Sequence, residues 1–140
     1  MTVQSVLLPL FVQVGLTFVL LFWMESERVA SFRKGEVNIR DIALGQPAWP
    51  QRATQIGNAY HNQLQLPVLF FTLVALALIT KQADLLFVIL SWVFVALRLA
   101  HAAIHVGTNY VPRRFYAFLA GAAVLAAMWL IFAVRILAAV

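Results

Sequence analysis

Residues 85–108 read LLFVILSWVFVALRLAHAAIHVGT. The run exceeds the roughly 20 mainly apolar residues that a helix needs to cross a bilayer, yet it contains Arg98, His101 and His105, and Asn109 follows directly. Spacings of three, four and four residues put these four side chains on one face of an α-helix. An arginine at mid-membrane costs about 3 kcal/mol on the lower scales, so it must face protein, water or ligand rather than lipid.

Working outward, three further runs have the same character. Val3–Trp23 is free of charge and is a first span; it lacks a basic leader and a small-residue cleavage site, which predicts that it is retained. Thr54–Thr80 is a second helix whose first half, QIGNAYHNQLQ, is polar and whose second half, LPVLFFTLVALALIT, is apolar, with Pro67 expected to kink or loosen it. KQAD (81–84) turns the chain into the third span, and NYVPRR (109–114) separates that from a fourth, Phe115–Leu137. Only Glu25–Gln51 forms a long polar connection. The expected fold is all-α, a single four-span integral membrane domain over 1–140, arranged as an antiparallel four-helix bundle.

Composition agrees. The 140 residues are 64% hydrophobic and 11% charged, against about a quarter charged for soluble domains. Without cysteine, disulfides, thiolate catalysis and cysteine-ligated metals are excluded. The net charge of +5 does not point to nucleic acid, because most basic residues flank apolar runs. Arg28, Arg33, Lys34, Arg40, Arg52, Arg113 and Arg114 lie in the first and third connections, against Lys81 and Arg135 on the other side. That asymmetry predicts a cytoplasmic long loop and both termini outside.

The second helix carries its own polar stripe: Gln51, Gln55, Asn58, His61 or Asn62, and Gln65. Two polar faces at one level predict a shared cavity, with Arg52, Arg113, Arg114 and Tyr116 at its rim. A small anion arriving from the cytoplasm would meet cations first, then amides and imidazoles. The competing reading is that the stripes bond the helices together. An excess of arginines, with no carboxylate between Asp41 and Asp84 to pair them, favours a ligand. His101 and His105, with His61, form a conceivable metal set, but Arg98 one turn away repels a cation, and no metal is expected. The tryptophans and phenylalanines read as lipid-facing or interfacial side chains, and the small residues from Ala120 to Ala127 as a helix-packing surface.

RATQIGNAYHNQLQLPVLFF (52–71) followed by RLAHAAIHVGTNYVPRRFYAF (98–118) resembles the MAPEG superfamily, the membrane-associated proteins in eicosanoid and glutathione metabolism, and is most similar to its bacterial branch. The resemblance implies a homotrimer in the bacterial inner membrane, second helices lining the axis, with glutathione held at three subunit interfaces. By position it implies that Arg52, Asn58, Asn62 and Gln65 contact the peptide, that Arg98 anchors a carboxylate, and that Arg113 or Arg114 stabilises the thiolate. The two polar stripes add His61, His101, His105 and Asn109, and the rim adds Tyr116, to the expected binding residues. Gln65 stands where the related bacterial segment usually has Glu, and His101 and His105 where well-studied members have tyrosines. The expected function is glutathione or small-anion binding with conjugation or reduction of lipophilic electrophiles; the alternative is a non-catalytic accessory subunit of a larger membrane complex.

Overall fold

The computed structural model describes residues 1–138. Helix α1 is Val3–Arg33, α2 Ile39–Ile42, α3 Gln51–Asn62, α4 Leu66–Ile79, α5 Leu85–Val106 and α6 Val111–Ala138. Taking α3 and α4 as one passage, four helical stretches among the described residues are long and apolar enough to cross a membrane. Side-chain contacts fix their directions. Gln13 meets Gln63 while Met24 meets Gly57, Arg98 meets Asn62 while Arg52 meets Val106, and Asp84 before α5 meets Arg135 near the end of α6, so α3–α4 runs antiparallel to α1 and α5, and α6 antiparallel to α5.

The first span is longer than expected, continuing ten residues beyond Trp23. ESERVASFR keeps the helix because Glu, Arg and Ala are good helix formers, Ser26 and Ser31 return their hydroxyls to the carbonyls of Trp23 and Glu27, and Met24 and Ser31 are buried. Gly57 of α3 faces Met24 and Arg28 of this extension, where an added Cβ would make only ordinary contact at 3.5 Å from Met24 Sδ. The fourth span begins four residues earlier than expected and the third ends two earlier, while the short helix α2 lies within the long polar connection.

The second helix is broken rather than merely kinked. Pro67 has no N–H to give to the carbonyl of Gln63, and the chain tightens before it: Gln63, Leu64 and Gln65 donate their N–H groups to the carbonyls of Tyr60, His61 and Asn62. Gln65 sits at φ −98°, ψ −104° and ends the continuity. Below the break, Val6, Phe70, Leu73, Val74, Phe94, Val95, Leu125 and Met128 fill one apolar core. Above it, Leu20, Ala59 and Ala102 form a smaller one.

The candidate functional site, a polar layer opening into a cavity

Between the two cores lies a layer of buried polar side chains. Arg98 is 1% exposed and directs one guanidinium nitrogen, Nη2, at three acceptors. These are the Asn62 carbonyl at 3.1 Å, the Asn62 Oδ1, and Gln63 Oε1 at 3.3 Å. A carbonyl beside a helix break suits a guanidinium, which only donates. Gln63 Nε2 donates to the Ala59 carbonyl, and Gln13 Nε2 of α1 donates to Gln63 Oε1, each at 3.0 Å. The arginine thus ties α5 to α3, and through Gln63 to α1. These partners lie within one chain and carry no argument for a trimer. Arg98 Nε and Nη1, and Nδ1 of His101 and His105, are buried without a partner in the described chain.

Beside this layer a cavity of about 260 Å³ is lined by Asn62, Gln65, His101, Val111, Arg114, Phe115 and Phe118. Four of its residues were expected from sequence, and none of the seven is acidic. Arg114 donates to Asn109 Oδ1, and Asn109 holds a left-handed backbone at φ 51° while its N–H closes the end of α5 on the Ile104 carbonyl at 2.7 Å. Asparagine tolerates that conformation better than most residues, so one side chain both turns the chain and anchors the cation. His101 and His105 meet edge-on, ring centroids 5.5 Å apart, and His101 also packs on Phe118.

The remaining expected site residues are not gathered there. Asn58 and His61 face a separate hollow of about 330 Å³ with Arg28 and Trp49, so His61 does not join the other two imidazoles. Arg52 caps α5: its Nη1 donates to the Val106 carbonyl at 2.6 Å, and Gln55 Nε2 adds bonds to the carbonyls of His105 and Gly107 at 2.8 and 3.2 Å. Arg98 lies behind the cavity wall, not in it. Of the adjacent arginines only Arg114 lines the cavity; Arg113 stacks over Tyr110, 5.7 Å from the ring centre, and Tyr116 is 68% exposed. Among the described residues no group of three metal-ligating side chains converges.

Sequence reasoning passed over Gln13 and Gln63, the two most buried amides of the layer. Gln13 had a signal, being the one amide in the middle of the first span. The aromatic wall of Phe115 and Phe118 had none, since phenylalanine is abundant throughout.

No curated protein and no solved structure matches this chain. The model of the MAPEG family matches residues 6–134, nearly the whole chain and all four membrane passages. The chain is therefore an integral membrane protein of the MAPEG family.

Proposed function

We propose that the cavity binds glutathione or a similar small anion, with Arg114 as its cation. The observation that carries this reading is the lining itself: a guanidinium, an imidazole and two amides, with no carboxylate to neutralise them. A guanidinium beside a thiol favours the thiolate, the nucleophilic form. Phe115 and Val111 are more than half exposed on a membrane-facing helix, which supports a lipophilic electrophile arriving from the bilayer. Conjugation then forms a sulfur–carbon bond at that electrophile as its leaving group departs. Homotrimeric assembly, a bacterial inner membrane, a cytoplasmic long loop and outward termini belong to the same proposal.

A second reading, a non-catalytic accessory subunit, draws support from the capping roles of Arg52 and Asn109, which give two site candidates structural work. Glutathione titration by calorimetry, with thiolate ultraviolet absorbance, separates the two. The first expects binding and a thiolate band in the wild type, both lost in Arg114→Leu with the fold retained. Binding that survives unchanged in Arg114→Leu overturns the site, and absence of binding in both proteins favours the accessory subunit.

A further inference from the structure

The hollow of about 330 Å³ lies where α1, the long connection and α3 meet, and Arg28, Gln46, Trp49, Asn58 and His61 give it its polar and aromatic lining. None of its lining residues carries a carboxylate. Trp49 holds one wall in place: its ring meets Phe32 edge-on at 5.4 Å and lies under the Arg28 guanidinium at 5.0 Å. Arg28 Nη1 meets Glu25 at 3.4 Å. Its Nη2 has no acceptor among the described residues and lies 3.9 Å from where a Cβ on Gly57 would stand, so it borders the hollow. The depth follows from α1. The charge-free run ends at Trp23, a residue type that favours the membrane interface, and Arg28 is about 7 Å further along the helix. The polar layer of a bilayer extends about 5–8 Å beyond the hydrocarbon on each side, so the hollow opens within it. Toward the hydrocarbon its borders turn apolar: Leu21, two turns back from Arg28, is half-buried, and Leu64 and Val68, beyond His61, are about half exposed.

We infer that this hollow seats the phosphodiester of a membrane phospholipid, its phosphate on Arg28 with Asn58 and His61 as further donors, and an acyl chain descending over Leu21, Leu64 and Val68. A guanidinium presents paired N–H groups in the geometry that phosphate oxygens accept, and an amide and an imidazole each add a donor. Affinity decides for a lipid over a soluble anion. A single, partly exposed cation holds an anion weakly, so a dilute solute leaves such a site mostly empty, whereas phospholipid is the protein's own solvent and fills it by mass action. No residue lines both this hollow and the cavity beside Arg114, so the lipid site stands apart from the proposed glutathione site. A lipid held here bridges α1, residues 45–49 of the connection and α3, and so stabilises the fold.

The test titrates delipidated full-length protein in detergent with dioleoyl phosphatidylglycerol and with dioleoylglycerol, which has the same chains and no phosphate, and reads bound lipid by native mass spectrometry. Wild type should prefer the phospholipid by roughly fivefold, the scale of one partly exposed ion pair, and its melting temperature should rise with that lipid. Arg28→Gln should lose both effects, Arg28→Lys should keep part of each, and Arg40→Gln, a cation of the exposed connection outside the hollow, should keep both. His61→Ala and Asn58→Ala, on exposed positions, should each weaken the preference and carry the test if Arg28→Gln fails to fold. Equal affinities in wild type, or a preference lost in Arg40→Gln but unmoved by Arg28→Gln, overturn the inference. Inorganic phosphate or glycerophosphoglycerol displacing the lipid at millimolar concentration overturns it in favour of a soluble anion. Glutathione displacing the lipid overturns it and returns Asn58 to the glutathione site, whereas both bound together sustains two separate sites. Phospholipid preference without glutathione binding sustains the inference while removing the proposed function.

Discussion

At the level of α4 the bundle is filled by Phe70, Leu73, Phe94, Val95 and Met128, with the rings of Phe70 and Phe94 centred 4.8 Å apart. One turn beyond Gln65, at the level of α3, the same interfaces are made by Gln13, Gln63, Asn62 and Arg98. In lipid these two solutions are not equivalent. Apolar side chains gain little by leaving a hydrocarbon solvent, so the lower half holds by close packing alone. The upper half holds by donors and acceptors that have no good alternative inside the membrane. Packing tolerates small displacements, whereas the polar layer requires each partner, and this difference locates the cavity beside the layer and not in the apolar core.

The sharpest way to break this contrast is to remove one partner and leave the charge. Asn62→Leu deprives Arg98 of the nearer of its two side-chain acceptors and should cost about 3 kcal/mol, while Arg98→Leu should cost less and the double replacement should recover most of the loss. Thermal unfolding in detergent reads all three, and equal effects for the two single variants would show that the layer is not charge-centred. For the apolar half, Phe94→Ala leaves a cavity without exposing a charge. Roughly 2 kcal/mol is expected from the cavity contribution, with glutathione affinity unchanged; a larger loss of binding than of stability would mean the halves are not separable.

Asn109 allows a finer cut. Asn109→Gly keeps the left-handed turn and loses only the anchor of Arg114, so binding should weaken with little change in stability. Asn109→Ala adds a conformational penalty of about 1 kcal/mol. If both variants behave alike by calorimetry and unfolding, the side chain matters only to Arg114. The smallest effect is expected at the far end, where Asp84 caps α5 through the Phe87 N–H at 2.9 Å and pairs with Arg135 at 2.7 Å. The hydrogen bond from Arg135, with that from Phe87, holds its carboxyl below the usual carboxylate range. A depressed folded-state pKa stabilises above the unfolded value, and that contribution is lost as pH falls through the folded value. Asp84→Asn keeps a capping side chain and should cost under about 1 kcal/mol near neutral pH, the deficit vanishing in acid. A deficit that persists there would assign it to capping instead.

Much of this was legible before any coordinates. Apolar run length gave four passages, and the three-four-four spacing put Arg98 and His101 on one buried face, because helical periodicity needs no knowledge of neighbours. Pro67 marked the break, but a proline identifies only the N–H that is missing; which residues tighten to compensate depends on what waits across the bundle, here Arg98. Arg52 shows the limit most clearly. Its motif position points to a ligand, while it donates to the Val106 carbonyl at the end of α5, a helix terminus that ends two residues earlier than hydropathy indicated. Asn58, His61 and Asn62 were grouped as one stripe because they recur at three- to four-residue spacing, yet His61 and Asn62, adjacent in sequence, lie about 100° apart around the helix and face different hollows, Asn58 going with His61.

The continuation of α1 past Trp23 bears on how the molecule can be mapped in its native membrane. Ten further residues at about 1.5 Å each carry the helix roughly 15 Å past Trp23 before the chain turns at Lys34 and Gly35. Arg33, Lys34 and Arg40, all exposed, therefore stand where a water-soluble protease can reach them without disturbing the bilayer. Trypsin added to sealed vesicles of known sidedness would cut this loop from one side only, and the side on which fragments appear reports which way the whole protein is inserted.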